Sequence, residues 1–236
     1  MLVLALDTCD ARGSLAILRD EEPLQVLAHD AGEDYSSWVL PAVHRALQAS
    51  SLKIQDVELY SVATGPGSFT GLRVGLTSVK AWSEVYRARI AGVSRLEAIA
   101  SQAAGQEPFV ASFFDAQREQ VFGGLFRRDG DALRAVGQEL VGAPEVFLNS
   151  VSEAAGSAKV AWVSLDPEKI SSCAAWQERA SRGESIQSSI MLLAPLLAKL
   201  GLQRAREGRL LDALSLDAQY VRRSDAEIFW KGHAAR

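Results

Sequence analysis

The residues best suited to bind a ligand form a glycine-rich turn between an apolar run and a helical pattern. The turn reads Gly65-Pro66-Gly67-Ser68-Phe69-Thr70-Gly71. Unpaired first-turn N–H groups lie at the positive end of a helix dipole, so such a turn can cradle a phosphate. No Lys-Ser/Thr pair follows at P-loop spacing, and the glycines do not fit a dinucleotide-binding fingerprint. On residue chemistry alone, a tight turn into a well-packed helix is favoured over a phosphate site.

Two aspartates, Asp7 and Asp115, each end a predicted strand. They could flank a cleft between two domains, although an aspartate that bonds its own turn backbone is the simpler interpretation. Two such acids and a glycine turn, without a lysine or metal-binding histidines, make a poor kinase.

The histidines and cysteines suggest no catalytic or metal site. His29, His44 and His233 have no ligand-like spacing, and Cys9 and Cys173 match neither a zinc pattern nor a disulfide framework. No Ser/His/Asp, Cys/His or paired-carboxylate arrangement is defensible in this sequence.

Two predicted helices must position these groups. In the helix after the turn, Leu72, Leu76, Val79 and Tyr86 recur at helical spacing and predict a buried face. Gly71, Gly75 and Ser78 put small residues on successive turns and predict a shallow groove that leads to Trp82. A helix-interior glycine costs about 1 kcal/mol relative to alanine, so these positions call for close approach of another backbone.

An earlier helix, from about residue 35 to residue 50, carries a predicted buried stripe of Leu40, Val43 and Leu47, with His44 on its solvated side. Three short strands precede this helix and resemble a meander. A second meander begins after the break near residue 105, as a duplicated fold requires. We therefore predict two domains, residues 1–104 and 105–236.

The composition is that of an ordinary globular chain: 236 residues, 48% hydrophobic, with a net charge of −4. The chain lacks the positive field that drives independent binding to nucleic acid. Its N-terminus reads as a strand instead of a signal peptide, and no apolar run reaches the roughly 18 residues of a membrane span. A reducing cytoplasm is the expected location.

The stretch Gly65-Pro66-Gly67-Ser68-Phe69-Thr70-Gly71-Leu72-Arg73 resembles the signature of the bacterial TsaB (YeaZ-type) family of tRNA threonylcarbamoyladenosine biosynthesis, paralogues of the TsaD/glycoprotease family. The resemblance covers the first hundred residues well and the second half loosely. It returns at the C-terminal element Gln219-Tyr220-Val221-Arg222. It implies an α/β fold of two actin-like (ASKHA, ribonuclease H-like) domains with mixed sheets flanked by helices.

The resemblance also implies a non-catalytic subunit of the complex that transfers a threonylcarbamoyl group to N6 of adenosine 37 in tRNAs reading codons that begin with A. The implied partners are a TsaD-like catalytic subunit and a TsaE-like ATPase. The chain would contact tRNA only through the complex. In isolation it would form a homodimer, because its flat patch of apolar and small residues would otherwise be exposed. ATP or ADP and metal would lie on the partners or at a shared interface. The alternative is a stand-alone ATP-binding phosphotransferase or a glycoprotease-type peptidase.

Two residue sets follow from this hypothesis. We expect the partner interface to comprise Leu40, Val43, Leu47, Gly71, Leu72, Gly75, Ser78, Val79 and Trp82. In actin-like ATPases an acid at the end of the first strand faces phosphate and metal, so the candidate nucleotide or phosphate ligands are Asp7, Thr8, Gly65, Gly67, Ser68 and Thr70.

The sequence departs from the family pattern at Tyr35, Gln117, Gln120, Phe122 and Ala218. In TsaD the helix equivalent to residues 95–100 of this chain carries two metal-binding histidines. The matching positions in this chain are Arg95 and Ile99. Neither side chain ligates a divalent ion, so a metal site is not expected. Arg222, Arg223 and Lys231 make the tail mildly basic, and a solvated tail is favoured over a contact with RNA or an acidic partner.

Overall fold

The computed structural model describes residues 1–30, 32–130 and 132–221 as alternating strands and helices. The strands are β1 (Leu2–Asp7), β2 (Ser14–Arg19), β3 (Glu22–Ala28), β4 (Leu59–Ala63), β5 (Arg89–Val93), β6 (Phe109–Asp115), β7 (Val121–Asp129), β8 (Ala132–Ala135), β9 (Leu140–Gly142), β10 (Val160–Ser164) and β11 (Ile186–Ser188). The helices are α1 (Tyr35–Ala49), α2 (Phe69–Tyr86), α3 (Arg95–Ala100), α4 (Pro144–Ala155), α5 (Glu168–Ser171), α6 (Ala174–Ser181) and α7 (Ala194–Arg206), and a short 3₁₀ helix spans Ile54–Asp56.

The first sheet has the strand order β3-β2-β1-β4-β5. Strands β1, β2 and β3 are antiparallel neighbours, whereas β4 and β5 join the sheet in parallel. Every residue of β1 and β4 is buried, because helices cover the sheet on both faces. The predicted meander and the crossover through the glycine turn form this sheet.

The second sheet repeats the plan of the first. Its order is β11-β10-β6-β7-β8, with β9 paired to β7. Strands β6, β7 and β8 form an antiparallel meander, and β10 and β11 add in parallel. The repeat confirms the predicted fold class of two mixed sheets flanked by helices.

The helices do not follow the predicted division at residue 104. Helix α3, assigned to the first domain, buries Leu96 and Ile99 in a cluster with side chains of the second sheet. Helix α7, assigned to the second, buries Leu197 and Leu202 in the core of the first sheet. At Gly201 an added Cβ would lie 2.7 Å from Ser61 Oγ, so a glycine there lets α7 approach β4 closely. The predicted boundary at residue 104 therefore separates the strands of the two sheets, but each core includes a helix from the other side of that boundary.

Within the described ranges, no helix is both long and apolar enough to cross a bilayer. The apolar side chains instead form three buried clusters, one in the first domain and two around the second sheet.

Candidate functional site

Helices α1 and α2 pack side by side on the first sheet and leave an apolar groove between them. The groove has a volume of about 470 Å³ and is lined by Leu40, Val43, His44, Leu47, Gln48, Leu52, Lys53, Ile54, Trp82 and Tyr86. Four of the predicted interface residues therefore line it: Leu40, Val43, Leu47 and Trp82. Val43 and Leu47 form its floor, since both are buried in the first core. Leu40 is 61% exposed, unlike the buried residue that its place in the predicted stripe implied, and Tyr86 is 38% exposed.

Two other predicted interface residues, Leu72 and Val79, are not available to a partner. Both lie in the chain's own core, with 1% and 0% of their surface exposed. The face of α2 that carries them packs on β1, β4 and β5. The apolar residues that predicted this helix therefore mark its core-facing side and not an interface.

The predicted small-residue groove on α2 is wrong at its two glycines. Gly71 and Gly75 are buried against the chain's own Thr8: an added Cβ would lie 2.1 Å from the Thr8 carbonyl at Gly71 and 2.4 Å from Thr8 Oγ1 at Gly75. Thr8 Oγ1 donates a hydrogen bond of 2.7 Å to the Gly71 carbonyl. The close approach that the glycines predicted is therefore to the end of strand β1 in the same chain, and Ser78 beside them is half-buried.

The glycine turn is enclosed by backbone from two other segments. The Ser68 N–H donates to the Cys9 carbonyl at 2.5 Å, and an added Cβ at Gly67 would lie 2.2 Å from that carbonyl oxygen. On the other side the Gln219 N–H donates to the Thr64 carbonyl at 2.8 Å, and a Cβ at Gly65, whose φ is +110°, would lie 2.8 Å from the Gln219 carbonyl. At Gly65 and Gly67, both the backbone conformation and the lack of room for a Cβ atom therefore require glycine.

Beside this turn, a cleft of about 550 Å³ separates the two domains. Of the six candidate phosphate ligands, only Gly67 and Ser68 line it. Ser68 Oγ accepts the Gly71 N–H at 3.3 Å and caps α2, while Thr70 is exposed one residue into the helix.

Asp7 and Thr8 are fully buried behind the cleft, so their predicted role at a phosphate is not supported by their position. Asp7 Oδ2 instead accepts Arg95 Nε at 3.0 Å, and Arg95 Nη1 lies 2.7 Å from Asp10 Oδ2. The Arg95 side chain has no exposed surface, and its guanidinium lies 4.7 Å from the centroid of the Phe114 ring.

The buried guanidinium governs the electrostatics around it. Burial alone would raise the pKa of Asp10, but Arg95 and Arg12 outweigh that effect and hold the pKa of this carboxyl below its usual value. Burial would lower the pKa of Arg95, and the neighbouring Asp7 and Asp10 carboxylates raise it instead. Burial and the Asp7 charge raise the pKa of the Cys9 thiol well above its ordinary value, so Cys9 is not an activated nucleophile.

The remaining acids of the cleft also have cationic partners. Arg12 Nη1 and Nη2 lie 2.8 and 3.2 Å from the two carboxylate oxygens of Asp166, and Lys169 Nζ lies 3.0 Å from Asp115 Oδ2. Within the described ranges, no group of three or more His, Cys, Asp or Glu side chains could hold a metal ion. The carboxylates of Asp10, Asp115 and Asp166 at this cleft are thus each paired with a cationic side chain of the chain itself.

The residues that depart from the family pattern make local contacts. The Tyr35 hydroxyl donates to the Asp10 carbonyl, and an added Cβ at Gly13 would lie 1.9 Å from the Tyr35 oxygen. The Gln117 N–H donates to Asp115 Oδ1 at 2.8 Å, and the Phe122 ring packs 5.3 Å from that of Phe114. The Gln120 carbonyl accepts the Ala116 N–H at 2.9 Å, and Ala218 packs against the first core.

A second polar cavity, of about 560 Å³, was not predicted from the sequence. In it, the Ser94 hydroxyl donates to Glu139 Oε1, and Arg204 Nη2 lies 2.6 Å from Glu97 Oε2. Glu139 Oε2 is buried and has no hydrogen-bond partner among the described residues. Burial raises the pKa of Glu139 to about 7. The sequence contained no signal for this site, because Glu139 and Ser94 are 45 residues apart.

The predicted basic tail residues Arg222, Arg223 and Lys231 lie outside the described residues, as does His233.

Comparison with known proteins places these features in context. A family model described as TsaD, tRNA N6-adenosine threonylcarbamoyltransferase, matches residues 26–175. The chain is 32% identical over 136 residues to the tRNA threonylcarbamoyladenosine biosynthesis protein TsaB of Bacillus subtilis, a match that covers 58% of this chain and 59%, less than two thirds, of that protein. It is 26% identical over 170 residues to the TsaB protein of Escherichia coli, covering 70% and 71%. The structure of YeaZ from Pseudomonas aeruginosa matches with a TM-score of 0.71 and 21% identity, covering 93% of this chain and 99% of that one, which establishes a common fold.

Proposed function

The chain belongs to the TsaD family as a member of its TsaB/YeaZ type, and from this premise we propose that it is a non-catalytic subunit of the tRNA threonylcarbamoyladenosine machinery that docks a TsaD-like catalytic subunit. The complex would transfer a threonylcarbamoyl group to N6 of adenosine 37 in tRNAs that read codons beginning with A. This role would place the chain in the cytoplasm.

The observation that carries the proposal is the apolar groove between α1 and α2. Leu40, Trp82 and Tyr86 line it, and next to Tyr86 the Val85 side chain is 68% exposed. An exposed apolar face of this kind marks a site of protein contact more often than a free surface. A groove between two packed helices fits a helix of another protein.

The cleft supports an accessory role. In an ATP-dependent transferase, carboxylates hold the metal that bridges the phosphates. Here Asp7 and Asp10 contact Arg95, and Asp166 contacts Arg12. We propose that ATP or ADP and metal are held by the partner subunits or at a shared interface, and that a TsaE-like ATPase completes the assembly. The chain would contact tRNA only as part of that complex, and its exposed groove would form a homodimer when the partner is absent.

The groove is tested by Leu40→Glu, which puts a charge at a position exposed enough for the folded chain to tolerate it. We expect the dissociation constant for the TsaD-like subunit to rise at least about tenfold, which corresponds to ~1.4 kcal/mol. Isothermal titration calorimetry measures it, and a reconstituted assay of modified adenosine in tRNA should lose activity in parallel.

The matched control is Val146→Glu. Val146 is 56% exposed on α4, in the second domain, so this variant introduces the same charge away from the groove and should bind the partner normally. Wild-type affinity in Leu40→Glu would show that the groove is not the docking face.

A further inference from the structure

A chain of contacts joins the second domain to the start of α1. Asp166 follows β10 in the second domain, and both of its carboxylate oxygens contact the guanidinium of Arg12, which lies between β1 and β2 in the first. Arg12 Nη2 also lies 3.1 Å from Asp10 Oδ2. The Asp115 N–H donates to Asp166 Oδ2 at 2.8 Å and so fixes the orientation of this carboxylate. The pair therefore bridges the interdomain cleft.

From Asp10 the contacts continue to both helices of the docking groove. The Asp10 carbonyl accepts the hydroxyl of Tyr35, the first residue of α1. The Tyr35 ring also lies against α2, since a Cβ added at Gly71 would be 3.2 Å from Tyr35 Cδ2. The position of the β1–β2 turn thus determines where Tyr35 and the first turn of α1 can sit.

The two cationic partners of Asp10 differ in how exposed they are. Arg95 contacts the Asp10 carboxylate, and the Arg95 side chain has no exposed surface. Arg12 and Asp166 remain partly accessible, with 26% and 15% of their side-chain surfaces exposed. Opening of the cleft would separate Arg12 from Asp166, so this accessible pair is the adjustable contact.

We propose that Arg12 and Asp166 are positioning residues that couple closure of the interdomain cleft to the partner-docking face through Asp10 and Tyr35. The cleft of this chain then acts as a control element for assembly instead of a nucleotide site. This inference rests on the proposed function, because the output of the coupling is affinity for the TsaD-like subunit.

The first test measures that affinity in Arg12→Ala and Asp166→Asn. Neither residue lines the groove, and asparagine keeps an acceptor for the Asp115 N–H. We expect each change to raise the dissociation constant by about threefold to tenfold, the range typical of coupling between separate sites. Arg206→Ala is the matched control, because Arg206 forms an ion pair with Glu21 at 2.8 Å outside this chain of contacts, and its loss should leave affinity unchanged.

A double-mutant cycle with Tyr35→Phe tests the route. Phenylalanine keeps the ring and removes the hydroxyl that donates to Asp10. If the coupling passes through Tyr35, Arg12→Ala should change affinity by less than about twofold in the Tyr35→Phe background. An undiminished effect in that background would overturn the proposed route.

Hydrogen exchange on the isolated chain separates this inference from the proposed function. We expect amides 36–39 in the first turn of α1 to exchange faster in Arg12→Ala and Asp166→Asn than in the wild type or Arg206→Ala. Unchanged exchange in α1 would overturn the coupling even if the partner binds. If the wild-type chain binds no TsaD-like subunit, the proposed function fails, while altered exchange in α1 would still support the coupling within this chain.

Discussion

At the scale of single residues, the central side chain is Arg95. A guanidinium with no exposed surface is tolerated because it contacts Asp7 and Asp10 and stacks near Phe114. These acids in turn depend on it, since Asp7 is fully buried. Where the resemblance places a metal ligand of TsaD, this chain supplies the positive charge itself.

Replacing Arg95 with methionine should destabilise the fold by about 3–5 kcal/mol, because it leaves the buried carboxylate of Asp7 without a counter-charge. Urea denaturation followed by circular dichroism measures the loss. The double variant Arg95→Met, Asp7→Asn should recover part of it. If the double variant is as unstable as the sum of the single changes, the two residues are not coupled as an ion pair.

Glu139 makes a prediction about pH. Its pKa in the folded chain is about 7, above the ordinary value of 4.5, mainly because of burial and despite the hydrogen bond from Ser94, while Glu97 raises it further. The charged groups that face it are Glu97 on α3 and Arg204 on α7. The folded state therefore holds a proton that the unfolded chain releases, and this contribution to stability, full below pH 4.5, is lost as the pH rises through 7.

Between pH 5 and 8 the free energy of unfolding of the wild type should fall by about 1–3 kcal/mol more than that of Glu139→Gln. Urea titrations at several pH values give this difference. Glu207→Gln serves as the control, because the Arg209 hydrogen bond lowers the pKa of Glu207 and moves its titration out of this window. Parallel curves for the wild type and Glu139→Gln would contradict the assignment.

The residue scale also shows where sequence analysis stops. The pattern identified Arg95 as a lost metal ligand, yet its new partner could not be identified, since Asp7 is 88 positions away and nothing local connects the two. The same holds for Arg12 and Asp166, which are 154 positions apart.

At the scale of elements, α2 is where prediction was both strongest and incomplete. The apolar period and the glycine turn before it predicted the helix and its buried face correctly at Leu72, Leu76 and Val79. The prediction is wrong at Tyr86, which is 38% exposed. The apolar period did not indicate whether the glycines of α2 pack against the same chain or against a partner. Gly71 and Gly75 face Thr8, so they serve the junction of α2 with β1, and the docking face that we propose is lined by Leu40, Trp82 and Tyr86.

Gly75→Ala should therefore lower the stability of the chain itself, by about 1–3 kcal/mol for the overpacked contact, offset by up to ~1 kcal/mol of improved helix propensity. This differs from the expectation for an interface glycine, where a larger residue would weaken the complex and leave the monomer folded. Thermal unfolding of Gly75→Ala and of Ser78→Ala, a half-buried position on the same helix, measures the difference.

Thr8→Ala should suppress this effect, because it removes the Oγ1 atom that lies 2.4 Å from the added Cβ. The comparison is between Gly75→Ala made in the wild-type chain and Gly75→Ala made in the Thr8→Ala background. An equal loss of stability in the two backgrounds would show that the clash with Thr8 is not the cause.

At the scale of the whole molecule, the chain repeats one sheet plan twice and encloses a cleft between the copies. The repeated meander made the duplication predictable. The packing of α3 on the second sheet and of α7 on the first was not predictable. Periodicity defines the apolar face of each helix but not the sheet that this face will cover.

The paired charges of the cleft predict that the isolated chain will not act as a stand-alone phosphotransferase. We expect no saturable heat on titration with ATP and Mg²⁺ up to about 1 mM, a concentration at which a site of useful affinity would be filled. The reason is that Asp7 and Asp10, the acids at the end of β1, are held by Arg95 and are not free to bridge metal and phosphate. Saturable binding by the isolated chain, abolished by chelation of the metal, would restore the phosphotransferase alternative.

Because α7 covers the sheet that also carries α1 and α2, the proposed docking surface cannot be cut out as a small module. A fragment ending near residue 104 would keep both groove helices but bare the opposite face of their sheet, where Ala194, Leu197 and Leu202 normally pack. Anyone who wishes to use this surface as a minimal binder or inhibitor would have to graft α7 back onto the fragment, or else replace its apolar footprint with polar side chains.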